Sequence, residues 1–153
     1  FEYGVFPQLL KLGNNFAAFV DDSYWLDVGT PQRYLQAHQE IINHKVSGFA
    51  GEDFRSQSDV SETAEICRNS IIGKNCLIKS GAKIENSVLG ENVTVGENSL
   101  IKDSVILAET QFGKEVSAMG AIIGWNCRLE SHSIIGDAAV LGERSVLTEY
   151  SKV

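Results

Sequence analysis

An apolar residue returns every six residues through the second half of this chain, and this period limits the folds that the chain can adopt. A period of six matches neither the 3.6 residues of an α-helical turn nor the two-residue alternation of a simple strand. Sixteen units begin at Val60, Ile66, Ile72, Ile78, Ile84, Leu89, Val95, Ile101, Leu107, Phe112, Ala118, Ile123, Leu129, Ile135, Leu141 and Leu147. The period shortens to five residues after Ile84, Leu107 and Ala118.

Two further positions of the units carry a pattern. The fifth position holds Ala, Ser, Cys or Val in fourteen units, with Gln111 and Ile122 as the exceptions, and glycine often fills the second position. A short strand followed by a tight corner explains both: the fifth residue fits inside the corner, and glycine tolerates unusual backbone angles. Three units close a triangular coil of about 18 residues. The sequence therefore predicts a mainly β protein built on a parallel β-helix of about five coils.

The units "IGKNCL", "VGENSL", "IGWNCR", "IGDAAV" and "LGERSV" resemble the hexapeptide-repeat family, whose pattern is [LIV]-G-x-x-x-x. The resemblance implies that the coils wind left-handed, against the usual right-handed crossover rule. It covers residues 60–153.

The repeat is absent from the first sixty residues, which predict a different organisation. A short helix is expected over Val5–Leu12, and two strands in "FAAFVDD" and "YWLDV", joined by a turn at residues 21–23. Thr30 and Pro31 begin a longer helix that is expected to end near Lys45. We expect residues 1–46 to be the C-terminal remnant of an α/β domain that lies mostly upstream, residues 47–59 to be a linker, and residues 60–153 to be the β-helix.

The stretch "YWLDVGTPQRYLQAHQEII" resembles the W-x-D-x-G-T-P segment that closes the catalytic domain of sugar-1-phosphate nucleotidyltransferases, and "FEYGVFPQLL" is similar to the helix before it. The layout resembles the mannose-1-phosphate guanylyltransferase and glucose-1-phosphate nucleotidyltransferase branch. These enzymes join a nucleoside triphosphate to a sugar 1-phosphate and release pyrophosphate, using Mg²⁺. The resemblance implies that Asp27 is a catalytic, metal-binding residue and that Gly29 and Thr30 contact substrate. Trp25 is expected to pack.

The glycine-rich nucleotide loop, the first metal-binding aspartate and the E-K-P sugar-binding segment of that family do not occur in these residues. We expect the chain by itself to have no nucleotidyltransferase activity, because half of a metal site does not catalyse. The identity of the nucleotide and sugar is not decided by this stretch, although "WLDVGTP" leans toward the guanylyltransferase group.

Two alternatives remain open. Many hexapeptide-repeat proteins are acyltransferases that use acyl-coenzyme A and a histidine base, and His132 is the only histidine within the repeats. Such acyltransferases usually carry a long loop ejected from the prism, and no clear loop of that kind occurs in this sequence, although residues 107–122 look irregular. We expect His132 instead to be an outward-facing strand residue. The other alternative is a non-catalytic module that assembles homo-oligomers through the β-helix, whose coil ends present unpaired backbone groups.

The net charge limits the classes of partner, and the cysteines indicate the cellular compartment. Thirteen Lys and Arg residues against twenty Asp and Glu residues give a net charge of −7, which disfavours nucleic acid. No apolar stretch approaches the length of a membrane span. Cys67, Cys76 and Cys127 have no C-x-x-C spacing, which is typical of reduced thiols in a cytoplasmic protein. The two later cysteines occupy the small-residue corner position and are expected to be structural.

Overall fold

The structure, a computed structural model, describes residues 1–48 and 52–153. Two α-helices precede the repeats: α1 spans Val5–Lys11 and α2 spans Pro31–Ile42, with a short 3₁₀ helix at Arg55–Gln57. The sixteen strands that follow are β1 (Asp59–Val60), β2 (Glu65–Ile66), β3 (Ile71–Ile72), β4 (Leu77–Ile78), β5 (Lys83–Glu85), β6 (Val88–Leu89), β7 (Thr94–Val95), β8 (Leu100–Lys102), β9 (Val105–Ile106), β10 (Gln111–Phe112), β11 (Ser117–Met119), β12 (Ile122–Ile123), β13 (Arg128–Leu129), β14 (Ile134–Ile135), β15 (Val140–Leu141) and β16 (Val146–Leu147).

Each strand pairs in parallel with the strand three positions later in the chain, so the strands form three sheets. Sheet 1 has the order β1-β4-β7-β10-β13-β16, sheet 2 the order β2-β5-β8-β11-β14, and sheet 3 the order β3-β6-β9-β12-β15. Consecutive strands thus belong to different sheets, as in a three-sided coil of about five turns. The predicted parallel β-helix is confirmed.

The leading apolar residues of the units point into one continuous core. Ile72, Ile84, Ile101, Ile123 and Ile135 are fully buried there, and each stacks on its counterpart one coil away. Because the core runs through all coils, each coil is stabilised mainly by its two neighbours.

The unit predicted at Leu107 is displaced by one residue. Ile106, which is fully buried, pairs in register with Leu89 on one side and Ile123 on the other, whereas Leu107 is half-buried outside the core cluster. The shortened unit therefore begins at Ile101 and not at Leu107. The expected irregularity of residues 107–122 is wrong for the same reason, since β10, β11 and β12 continue the pattern there.

With this correction the small inward residue is always two positions before the next leading residue. In the three short units it is Ser87, Ser104 and Ala121, all buried, and not the fifth position assigned from sequence. Likewise, the small inward residue before Phe112 is the buried Thr110 and not Gln111. The alternation of a strand explains the rule, because residues i−2 and i face the same side. Both apparent exceptions disappear.

The small residues also hydrogen-bond from coil to coil. Ser87 Oγ donates to Glu85 O at 2.7 Å and accepts from Ser104 N at 3.1 Å. Ser104 Oγ donates to Lys102 O at 2.6 Å and accepts from Ala121 N at 3.1 Å. These serines satisfy backbone groups that the shortened corners would otherwise bury without partners.

Glycine at the second position serves close approach and not unusual backbone angles. A β-carbon on Gly73 would lie 2.5 Å from the backbone of Gly90 in the next coil, and one on Gly90 would lie 2.7 Å from Ala108 N. Left-handed φ angles occur instead three residues before each leading residue from Ile78 onward, often at asparagine, as in Asn75 and Asn92. Asparagine adopts this conformation more readily than other non-glycine residues.

The segment between the helices differs from the sequence prediction. Helix α1 is confirmed, and Asp21 accepts hydrogen bonds from the backbone and hydroxyl of Ser23 in the predicted turn. The two strands predicted in "FAAFVDD" and "YWLDV" are wrong, since residues 14–29 contain neither strand nor helix. A strand needs a neighbour for its backbone groups, and this segment pairs with none in the described part of the chain. Phe19 is 92% exposed.

Helix α2 ends at Ile42, three residues before the expected end. Asn43 Nδ2 donates to Gln39 O at 2.7 Å, and His44 takes a left-handed φ of 57°, which terminates the helix. The division into residues 1–46, 47–59 and 60–153 stays a prediction; residues 49–51 of the predicted linker lie outside the described residues.

Helix α2 lies against the outer surface of sheet 3. Val105 points away from the core and is nevertheless only 2% exposed, and Ile42 at the helix end is also buried outside the core cluster. Asn43 Nδ2 donates to Asn86 Oδ1 at 2.9 Å, which joins the helix end to a coil corner. The helix end is thus attached to the β-helix by a side-chain hydrogen bond, and residues of α2 and sheet 3, among them Leu35 and Ile122, line one hollow.

Candidate functional site

The loop of residues 24–30 leads directly into helix α2, and its last residue caps that helix. Thr30 has an extended backbone, and its Oγ1 accepts a hydrogen bond from Arg33 N at 3.3 Å. Pro31 has no N–H to satisfy and a φ already suited to the first helical position. The Thr-Pro pair therefore fixes where the loop ends and the helix begins.

A shallow hollow at this helix start brings the three predicted site residues together. It is lined by Trp25, Leu26, Asp27, Gly29, Thr30 and Arg33. A β-carbon added to Gly29 would lie 3.5 Å from Asp27 Oδ1, an ordinary contact. Close approach of the protein backbone therefore does not explain the glycine, and the substrate-binding role of Gly29 stays a prediction, as do the roles of Asp27 and Thr30. The Thr30 hydroxyl is engaged in the cap.

Sequence reasoning missed Arg33, the positive charge of this hollow. Its Nη1 donates to Gln36 Oε1 at 2.9 Å, which orients the guanidinium along the helix. The signal was its position three residues after the N-cap, which places it on the same side of the helix as Thr30. Arginine is well suited to phosphate oxygens because it presents several donors in a planar fork. Trp25 is 81% exposed, so the packing role expected for it has no partner among the described residues.

Asp27 has the chemistry of one magnesium ligand, but it does not make a complete metal site by itself. Within residues 1–48 and 52–153, no three His, Cys, Asp or Glu side chains are grouped to hold an ion. Mg²⁺ is commonly held by one or two carboxylates together with substrate phosphates and water. A single exposed carboxylate would be one such ligand, and the magnesium-binding role of Asp27 stays a prediction.

A hydrogen-bonded series connects the loop to the middle of helix α2. Tyr24 Oη donates to Glu40 Oε2 at 2.5 Å, and Gln36 Nε2 donates to Glu40 Oε1 at 2.9 Å. The Gln36 and Tyr24 hydrogen bonds both lower the pKa of the Glu40 carboxyl, because they favour its charged form. The same bond to Glu40 raises the pKa of Tyr24, because it favours the neutral phenol.

The alternative candidate, His132, lies at a coil corner. The prediction that it is a strand residue is wrong, because it falls between β13 and β14 with a left-handed φ of 62°. Its Nδ1 is 3.3 Å from Glu115 Oε2, and its ring stacks on Tyr150 with a centroid distance of 4.8 Å and an interplanar angle of 5°. A histidine oriented by a carboxylate is an arrangement used in general base catalysis, but here one ring face is covered.

The cysteines behave as their positions predicted. Cys67 is exposed, whereas Cys76 and Cys127 are buried at inward corner positions, and all three are free thiols. Burial raises the pKa of the Cys76 thiol, because desolvation disfavours the thiolate. In the described part of the chain, no helix has both the length and the apolar character that crossing a bilayer requires.

Glucose-1-phosphate adenylyltransferases are among the relatives of this chain. The enzyme of Desulfitobacterium hafniense is 32% identical over 146 residues, which cover 90% of this chain and 36% of the enzyme. That of Fervidobacterium nodosum is 32% identical over 146 residues, covering 89% and 34%, and that of Bacillus anthracis is 31% identical over 140 residues, covering 86% and 36%. The chain thus spans about a third of the length of the curated relatives it matches.

Solved structures with related architecture superpose loosely. A perosamine N-acetyltransferase mutant of Caulobacter crescentus in complex with CoA and GDP-perosamine is 15% identical, with a TM-score of 0.48 over 95% of this chain and 67% of that protein. A hexapeptide transferase family protein of Anaplasma phagocytophilum is 27% identical, with a TM-score of 0.34 over 63% and 69%. Superpositions this loose carry no argument about function.

Residues 54–153 match the family described as the EIF2B subunit epsilon LbH domain, where LbH stands for left-handed β-helix. This range contains all sixteen strands. The left-handed winding expected from the hexapeptide resemblance agrees with that description. The chain therefore belongs to the EIF2B epsilon family of left-handed β-helix domains.

Proposed function

We propose that the whole protein containing this chain is a sugar-1-phosphate nucleotidyltransferase, which converts a nucleoside triphosphate and a sugar 1-phosphate to a nucleotide sugar and pyrophosphate. The observation that carries the proposal is that similarity to glucose-1-phosphate adenylyltransferases covers 90% of the chain, and so extends beyond the β-helix into helix α2 and the loop before it. The names of these relatives favour ATP and glucose 1-phosphate as the first substrates to try, over the guanylyltransferase substrates toward which the sequence leaned.

Within that reaction the hollow at the start of α2 contributes part of the site. Asp27 would supply one carboxylate ligand to Mg²⁺, and Gly29 and Thr30 would contribute the backbone that faces substrate. The bound Mg²⁺ would neutralise charge on the phosphates. Arg33 is a cation at the rim of the same hollow and would hold a phosphate oxygen by charge-assisted hydrogen bonds. Because the chain supplies one carboxylate, we expect it to be inactive by itself.

The β-helix would serve assembly and regulation. Its outer surface on sheet 2 carries exposed Met119 and Ile134, apolar side chains that a second copy could cover. We propose a cytoplasmic homo-oligomer that makes no contact with nucleic acid or membrane, in keeping with the net charge of −7. Light scattering of the chain at high micromolar concentration tests this, and a monodisperse monomer would count against assembly through the β-helix.

The test of the enzyme proposal is pyrophosphate release by the full-length protein. It is incubated with Mg²⁺, glucose 1-phosphate or mannose 1-phosphate, and each of the four common nucleoside triphosphates and thymidine triphosphate. We expect one pair to give pyrophosphate and the matching nucleotide sugar, and residues 1–153 alone to give none. Absence of product with every pair would refute the proposal. Product from residues 1–153 would refute the expectation that this chain holds only part of the active site.

Acyl transfer is the second candidate, and the Glu115–His132 pair is the observation that favours it. Calorimetry with acetyl-coenzyme A tests for the substrate that such chemistry requires. We expect no heat of binding to the chain, and saturable binding that His132→Asn alters would support the second candidate over the first.

A further inference from the structure

We propose that Glu40 is a positioning residue that acts through Tyr24 to hold the loop carrying Asp27 in place against helix α2. The inference rests on the proposed function, since it assigns Glu40 a part in the activity for which Asp27 is the candidate metal ligand. Glu40 lies within the stretch quoted for the resemblance but outside its W-x-D-x-G-T-P motif, residues 25–31, and it does not line the hollow.

The loop is hydrogen-bonded to helix α2 at two points, and between them Leu26 and Val28 line a hollow with Ala37 and Ile41 of the helix. Thr30 anchors one end through the helix cap, and the Tyr24–Glu40 hydrogen bond anchors the other. Among the described residues, no backbone–backbone hydrogen bond involves the residues from 15 to 29. Without the bond at Tyr24, the loop would therefore be hydrogen-bonded to the helix only at its Thr30 end, and the position of Asp27 would be less restrained.

The length of the helix from Thr30 to Glu40 and the length of the loop from Tyr24 to Thr30 agree with this arrangement. Thr30 and Glu40 are ten residues apart on a helix, which corresponds to about 15 Å of rise. The six residue steps from Tyr24 to Thr30 reach about 20 Å when extended. The loop therefore runs back alongside the helix with about 5 Å to spare, and one hydrogen bond at Glu40 removes most of that freedom.

Helix α2 is a suitable support because it is itself fixed. Ile42 is buried and Asn43 donates to Asn86 at a coil corner. Asn86 in turn donates to Asp103 Oδ1 of the next coil at 2.6 Å. Gln36 Nε2 donates to the second oxygen of Glu40, so the carboxylate is oriented independently of its bond to Tyr24. The position of Asp27 is thus related to the rigid β-helix through a single helix.

The experiment measures the steady-state kinetics of the full-length protein and the Mg²⁺ concentration that gives half-maximal rate. Glu40→Ala and Tyr24→Phe remove the two partners, Glu40→Gln keeps an oxygen that can accept from the phenol, and a double variant tests coupling. Glu62→Ala, an exposed glutamate of the first coil, is the matched control.

We expect Glu40→Ala and Tyr24→Phe each to lower kcat about tenfold and to raise the Mg²⁺ requirement, since misplacing a ligand by an ångström costs up to about a hundredfold. The double variant should be no worse than either single variant, Glu40→Gln should recover most of the activity, and Glu62→Ala should match the wild type. If Glu40→Ala and Tyr24→Phe lowered thermal stability by equal amounts but left the Mg²⁺ requirement unchanged, the proposal would be overturned. Absence of activity in the wild type would instead refute the proposed function.

Discussion

The register at the second shortened corner gives the sharpest test of the fold. Ile106→Ala and Leu107→Ala each remove three carbon atoms from adjacent residues of similar size. Ile106 is fully buried in the core and Leu107 is half-buried outside it. Three methyl or methylene groups at about 0.8 kcal/mol each give about 2.4 kcal/mol for removal from the core. The cavity left behind raises the expected cost of Ile106→Ala to about 4 kcal/mol.

Leu107→Ala should cost about 1 kcal/mol, since only part of its side chain leaves water on folding. Urea unfolding followed by circular dichroism measures both costs, and an unchanged dependence on urea shows that both variants unfold from the same compact state. A cost for Leu107→Ala equal to or greater than that of Ile106→Ala would refute the register and restore the unit that begins at Leu107.

Three further outcomes follow from the corners and the thiols. Gly81→Ala should cost about 1 kcal/mol or more in urea unfolding, because Gly81 has a φ of 69°, whereas Ala138→Gly should stabilise by about 0.5 kcal/mol by relieving a φ of 62°. A thiol reagent should modify Cys67 alone in the native chain, and Cys76 and Cys127 only in denaturant; rapid native reaction of all three would contradict their burial. The raised pKa of Cys76 means that the folded state retains a proton that the unfolded thiol loses, so its contribution to stability is complete below pH 9.0 and declines as the pH rises above it; Cys76→Ala should flatten that decline in urea titrations.

The β-helix was predictable because a single repeated pattern specifies it. The leading residues, the small corner residues and the number of coils all follow from period and size. The displacement at Leu107 arose because two apolar residues are adjacent there, and the spacing alone does not choose between them. The small residue two positions earlier does, since Ser104 fits inside a corner and Val105 faces outward. That regularity became visible only once the three sheets were known.

The region before the repeats was less predictable, because its structure depends on partners distant in sequence. The strand propensity of "FAAFVDD" is real, but a strand forms only beside another strand. The N-cap at Thr30 is a local feature and was correctly predicted. The Tyr24–Glu40 bond joins residues sixteen apart through side chains alone, and no periodicity announces such a pair. The role of Asp27 came from resemblance and stays a prediction.

One assay of pyrophosphate release, applied to the Asp27→Asn and His132→Asn variants of the full-length protein, distinguishes chemistry in the loop from chemistry at the coil corner. We expect Asp27→Asn to lower the rate by at least about a hundredfold, because it removes a carboxylate that would hold the Mg²⁺ that neutralises charge on the phosphates. His132→Asn should leave the rate unchanged, since the coil corner that carries it serves the scaffold. Full activity of Asp27→Asn, or loss of activity in His132→Asn alone, would contradict the placement of the chemistry in the loop before helix α2.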